Sequence, residues 1–215
     1  MIMKMIVQCD FDGTISTDNI SILLREEFAT GDWRQIDSDY MQGKLTVEDS
    51  NQRQFAMIKE PRDKLVSFAR EKAQVKAGFL EFVDYCRNSG IEFVIVSSGL
   101  DFYIEAVLEQ IGVPNLELYC ARTSFGRDGI DIEYIDLNGN RVEKGFKLQC
   151  FNQLKLRGEY VIYLGDGFSD LEAASAADYV FATGSLTALL DKKSVSYHSF
   201  TDFHDVLRQM PRLDS

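Results

Sequence analysis

Short apolar runs recur along the chain at residues 6–9, 93–97, 117–120, 161–165 and 179–182. They are largely apolar on both faces rather than alternating, as strands buried in a parallel sheet are. Helical spacing fills the gaps between them. The segments 79–88, 102–111 and 148–157 end at Gly90, Gly112 and Gly158, where a glycine suits a helix C-terminus. Residues 171–177 follow Ser169, which is expected to act as an N-cap. This alternation predicts an α/β fold with a Rossmann-like parallel sheet.

Two stretches break the alternation. Residues 16–74 carry no strand pattern. Ile20, Leu23, Leu24 and Phe28 instead mark one face of a helix. Thr46-Val47-Glu48-Asp49 has the form of a capping box with Asp in the last position, and Pro61 suits the first turn of a helix reaching Lys72. An insertion of this size is too long for a βα loop. It predicts a separate helical domain, residues 16–74, over the C-terminal edge of a sheet built from residues 1–15 and 75–215. Within it, Phe28, Trp33, Arg53 and Phe55 could contact a substrate, but each reads first as a core or surface residue. The second stretch, 123–145, alternates over Ile130-Asp131-Ile132-Glu133-Tyr134 and contains Asn138-Gly139, a hairpin turn signal. It predicts a small β-hairpin outside the main sheet.

Composition narrows the function. With 45% of 215 residues hydrophobic there is material for a sizeable core. The net charge of −11 argues against nucleic acid or an anionic membrane as partner. An anionic small molecule stays possible, because local amides, a lysine and a metal can outweigh the global field. Cys9, Cys86, Cys120 and Cys150 are widely spaced, with no C-x-x-C pair or Cys/His cluster. Free buried thiols in a reducing cytoplasm are expected, and no zinc site. The N-terminal apolar run is too short for a signal peptide, and no stretch approaches the ~20 apolar residues of a membrane span.

The chemistry gathers where strands are predicted to end. Asp10-Phe11-Asp12-Gly13-Thr14 follows the first apolar run. Two aspartates spaced by two on extended chain face the same way, and like charges so close call for a cation or a shared proton. The alternative is a solvated turn. Ser97-Ser98-Gly99 closes the second run, as an anion site, a helix N-cap, or both. Gly165-Asp166-Gly167-Phe168-Ser169-Asp170 closes the fourth: Asp166 is a candidate Mg²⁺ ligand and Asp170 a support, or the segment is a turn in which Asp170 caps a helix. A phosphate would need a cation, for which Lys147 is the candidate and Lys144 the competitor.

Taken together and in this order, the four elements resemble the motifs of the haloacid dehalogenase superfamily of phosphohydrolases, and the helical insertion resembles that family's C1-type cap. The resemblance implies an Mg²⁺-dependent phosphomonoesterase. Asp10 would be the nucleophile that forms an aspartyl-phosphate, and Asp12 the general acid and base. Asp10, the Asp12 carbonyl and Asp166 would hold the metal. Ser97, Ser98 and Lys147 would bind phosphate, while Thr14 and Asp170 would support. Within the superfamily, Ser97-Ser98-Gly99-Leu100-Asp101-Phe102 and the cap type resemble the phosphoserine-phosphatase branch. There the chain is most similar to the methionine-salvage phosphatases, which act on 2-hydroxy-3-keto-5-methylthiopentenyl-1-phosphate. Phosphoserine is the alternative substrate. It is weakened because Thr17-Asp18-Asn19-Ile20 lacks the cap glutamate that branch uses for the amine, although Asp18 could substitute. A receiver-type signalling module also places acids and a lysine at strand ends. The large helical insertion and the DxDGT run on one strand argue against it. The expected partner is a small phosphorylated metabolite.

Overall fold

A computed structural model describes residues 4–211; the expected core's outermost residues, 1–3 and 212–215, lie outside the described part. The chain opens with β1 (Met5–Cys9) and then runs through four helices, α1 (Ile20–Phe28), α2 (Trp33–Met41), α3 (Val47–Phe55) and α4 (Arg62–Lys72). It continues with α5 (Phe79–Asn88), β2 (Glu92–Leu100), α6 (Asp101–Gln110), β3 (Glu117–Gly126), β4 (Gly129–Ile135) and β5 (Arg141–Val142). The last third comprises α7 (Phe146–Arg157), β6 (Tyr160–Gly165), α8 (Leu171–Ala176), β7 (Tyr179–Ala182), α9 (Gly184–Lys193), β8 (His198–Ser199) and α10 (Phe203–Gln209). All eight strands among the described residues form one sheet, ordered β5-β4-β3-β2-β1-β6-β7-β8. From β3 to β8 the pairing is parallel, so the Rossmann-like α/β expectation holds.

The hairpin expectation needs correction. β4 pairs antiparallel with β3 and β5 with β4, so the segment extends the main sheet instead of standing outside it. Alternation reveals a half-exposed strand but not the edge it joins. One cap assignment changes. The three glycines do end their helices: Gly90 and Gly112 adopt left-handed φ of 68° and 83°, and Gly158 is the C-cap of α7, though extended at φ −135°. There a Cβ would come within 2.7 Å of the Ile6 side chain, so close packing explains that glycine. Ser169 caps nothing: it lies inside a 3₁₀ turn, Phe168–Asp170, that leads directly into α8.

The insertion leaves and re-enters at one place. Ser16 and Val75 form an antiparallel bridge, with Thr17 N donating to Gln74 O (2.7 Å) and Lys76 N to Ile15 O (2.9 Å). Its apolar face merges with the core: Ile20, Leu24, Phe55, Ile58, Leu65 and Ala69 are buried in the same cluster as β1 and β2. Fully burying one such side chain contributes roughly 1.5–3 kcal/mol. Thr46 caps α3 through Asp49 N (3.0 Å), as its sequence foretold, and Pro61 occupies the N-cap position of α4. The four cysteines are free and buried. No helix among the described residues is long and apolar enough to cross a membrane.

Candidate active site

The strand order places β1 between β2 and β6, so three motif-bearing ends are neighbours. Cys9 is level with Ile95 on one side and Leu164 on the other, and Asp10 N continues the ladder to Leu164 O (2.9 Å). Asp10, Ser97 and Asp166 therefore emerge at the same edge. β2 adds its own adjustment there. Its register with β3 runs Val96↔Tyr119 and then Leu100↔Ala121, so Ser97-Ser98-Gly99 bulges out of the ladder. Neither serine caps α6, whose N-cap position is Leu100 without a side-chain bond.

Lys147 sits in the first turn of α7, and its backbone carbonyl is tied to β1 by the Gln8 amide (3.1 Å). Its ammonium lies 2.9 Å from Asp10 Oδ1 and donates to Asp170 Oδ1 at 2.6 Å. Lys144, the competitor, is exposed and does not line the cavity that Lys147 lines. Burial opposes the Lys147 charge, but the two acids outweigh it and hold the ammonium firmly protonated. Asp170 is saturated. Besides Lys147 it accepts from Tyr163 OH (2.7 Å), Asp166 N (3.1 Å) and Gly167 N (2.9 Å), so it fixes the lysine and shapes the turn.

One carboxylate oxygen from each of Asp10, Asp166 and Asp170 lies within 4.8 Å of the other two. With Asp170 committed to its donors, Asp10 and Asp166 retain capacity for a ligand. Burial pushes Asp10 up to about 7 despite Lys147, and burial with the charge of Asp10 pushes Asp166 up to about 8. Two hard-oxygen donors that resist ionisation together fit a site for Mg²⁺. Gly13, at φ +75°, makes their approach possible: a Cβ there would stand 2.3 Å from Asp166 Oδ2.

Asp12 points into the same cavity, held at both oxygens. Oδ1 accepts from Ile20 N (2.8 Å), the first residue of α1, and Oδ2 from the Tyr103 hydroxyl. Burial raises its pKa, and these two bonds act against that rise. The Thr14 hydroxyl is buried without a partner; the loop after β1 is bonded instead by Ser16, which accepts from Gly13 N (3.2 Å), and by Lys76, which donates to Gly13 O (2.6 Å). Ser97 Oγ accepts from Gly99 N (3.1 Å), and Ser98 Oγ is buried and unpartnered.

A cavity of about 250 Å³ lies between these groups and the insertion. On the insertion side it is lined by Ile22, Arg25, Tyr40, Val47, Asn51 and Gln54. Phe28, Trp33, Arg53, Phe55 and Asp18, which the sequence singled out, do not line it. Phe55 is core and Arg53 is exposed. Arg25, by contrast, is 5% exposed, stacked against Trp33 (5.2 Å) and Phe55 (5.7 Å), and donates to Asn51 (3.4 Å) and Gln54. The insertion reaches the core on both sides of the cavity. Asn51 donates to Ser98 O (2.9 Å) and Tyr134 OH (2.8 Å), and Tyr40 packs edge-on against Phe168 (5.4 Å). Arg25, Tyr103 and Tyr163 carried no motif signal. Arg25 and Tyr103 act across long sequence separation, whereas Tyr163 reaches Asp170, seven residues on, because the chain turns back after β6.

Residues 7–175 match the model of the haloacid dehalogenase-like hydrolases. The chain is 33% identical over 98% of its length to a protein of Lysinibacillus sphaericus, 96% of which is covered, and 30% identical over 95% to one of Brevibacillus brevis, 94% covered. Both are named 2-hydroxy-3-keto-5-methylthiopentenyl-1-phosphate phosphatase. Among solved structures, a substrate-bound phosphoserine phosphatase complex superposes with a TM-score of 0.74 at 21% identity, covering 97% of this chain and 99% of the other. A phospho-aspartyl intermediate analogue of phosphoserine phosphatase gives 0.72, also at 21%, with 97% and 100% covered. At that identity the two structures show a shared fold. The chain belongs to the haloacid dehalogenase-like hydrolase family.

Proposed function

We propose that the chain hydrolyses a small phosphomonoester through an aspartyl-phosphate on Asp10, with 2-hydroxy-3-keto-5-methylthiopentenyl-1-phosphate as its substrate. What carries the reading is the convergence of Asp10 and Asp166, at the ends of adjacent strands, and Lys147, in the first turn of α7, on one cavity that Asp12 and Ser97 also line. In the first step an Asp10 carboxylate oxygen attacks phosphorus. The phosphorus–oxygen bond to the organic group breaks, and Asp12 gives that oxygen its proton. In the second, Asp12 takes a proton from water as the water oxygen attacks phosphorus, releasing Asp10 and inorganic phosphate. Lys147 and the Ser97-Ser98-Gly99 bulge stabilise the transferring oxygens. Asp10, Asp166 and the Asp12 carbonyl would hold Mg²⁺, whose charge lets an anionic phosphate approach an anionic carboxylate.

In this reading residues 16–74 act as a cap that selects the organic group, and residues 1–15 and 75–215 carry the chemistry. The substrate assignment rests on the names of the full-length relatives. The test is phosphate release from p-nitrophenyl phosphate with Mg²⁺ and with EDTA, followed by kcat/KM for the methylthiopentenyl phosphate against phosphoserine. Release is expected with Mg²⁺ alone, with the methylthiopentenyl compound preferred. Equal release in both media overturns the metal assignment, and a preference for phosphoserine overturns the substrate.

A further inference from the structure

The Tyr103 hydroxyl donates to Asp12 Oδ2. The residue lies on core helix α6, is 0% exposed, and does not line the cavity. Its ring packs among Phe11 (6.4 Å) and Phe102 (5.4 Å), which fixes where the hydroxyl points. The backbone makes room for the bond. At Gly99 a Cβ would stand 2.0 Å from the Tyr103 oxygen and 2.8 Å from Asp12 Oδ2, so no larger residue fits beside the contact. The opposite oxygen of Asp12 is held by Ile20 N, at the start of the insertion. A carboxylate oxygen has two lone-pair positions, so one anchor apiece leaves Asp12 free to carry and pass a proton. It loses only the freedom to rotate away from the leaving oxygen.

We propose that Tyr103 is a positioning residue for proton transfer by Asp12, an inference that rests on the general acid–base role given to Asp12 above. Its signature is leaving-group dependence. A good leaving group departs with little help from an acid, whereas an alkoxide needs the proton as the bond breaks. Loss of alignment therefore slows alkyl phosphates more than aryl phosphates. A defect in folding or phosphate binding slows both alike.

The experiment compares kcat/KM for ethyl phosphate and p-nitrophenyl phosphate in wild type, Tyr103→Phe and Asp12→Asn, with thermal melts of each. Asp12→Asn should lower ethyl phosphate turnover by roughly two to four decades and p-nitrophenyl phosphate by clearly less. Tyr103→Phe should show the same asymmetry in smaller measure, about tenfold on the ratio of the two substrates, as expected for a lost buried hydrogen bond. Gly99→Ala, which forces the pair apart, should reproduce it should Tyr103→Phe melt too low to assay. Asymmetry in Asp12→Asn with equal losses, or none, in the other two variants overturns the role of Tyr103. No asymmetry in Asp12→Asn overturns the acid assignment itself.

Discussion

The two walls of the cavity are built on different principles. On the sheet side, charged groups hold one another: Lys147 bridges Asp10 and Asp170, and Asp170 takes four donors from the sheet edge, the turn and α7. Every partner lies on β1, β6, α7 or the turn after β6. On the insertion side, Arg25, Asn51 and Gln54 form a neutral-acceptor network, and Arg25 Nε remains unpartnered. The first wall satisfies most of its groups internally, leaving Asp10 and Asp166 oxygens and the Ser98 hydroxyl with capacity for a ligand. The second has hydrogen-bonding capacity to spare, as expected of a surface that meets variable organic groups. On the proposed function, reaction chemistry belongs to the sheet edge and discrimination to the insertion.

The largest effect that separates the walls is loss of the proposed nucleophile. Asp10→Asn should reduce phosphate release on the order of 10⁴-fold or more for every substrate, measured by initial rates with Mg²⁺. A loss confined to one substrate would move the chemistry off the sheet edge. Next is the cation. Lys147→Met leaves Asp10 and Asp170 buried without their shared partner, and breaking such a pair costs about 3–5 kcal/mol. A chain of this size should then melt on the order of 10 °C lower, read by calorimetry in EDTA. On the opposite wall, Arg25→Met should alter selection more than chemistry. The kcat/KM ratio of the methylthiopentenyl phosphate to p-nitrophenyl phosphate should fall by roughly tenfold, the scale of a lost charged hydrogen bond. An unchanged ratio would remove Arg25 from substrate recognition.

The smallest effect concerns pH. Asp10 and Asp166 titrate at about 7 and about 8 in the fold, against ~4 in an unfolded chain. The folded state thus binds more protons across that window, and these two acids lower stability as pH rises through it. Mg²⁺ relieves the ionised pair, so its gain in Tm should be greater above pH ~8 than near pH ~5, by a few degrees. A gain independent of pH would mean the ion binds elsewhere.

The same division explains what could be read from sequence. The sheet-edge groups ride on local patterns, an apolar run followed by acids, serine or glycine, and strand adjacency gathers them. Lys147 over Lys144 needed the structure, because both precede or open the same helix and only burial distinguishes them. The insertion-side residues had no such pattern. Arg25 sits next to Leu24 on a helix whose apolar spacing points elsewhere, and it is buried by Trp33 and Phe55, residues that read as contact candidates themselves. Asn138-Gly139 was legible as a turn, but the edge its strands join depends on β3 running on to Gly126 beyond its parallel pairing with β2. Ser169 resembled an N-cap only because the grip of Asp170 on the preceding amides is invisible in one dimension.

The most direct test of the central claim is rapid acid quench of a single turnover with ³²P-labelled substrate and Mg²⁺, followed by peptide mapping. The account predicts a transient phosphoryl group on the peptide that carries Asp10, gone after longer incubation and missing in Asp10→Asn. Phosphate release at the normal rate with no labelled peptide, or with the label on another residue, would contradict it.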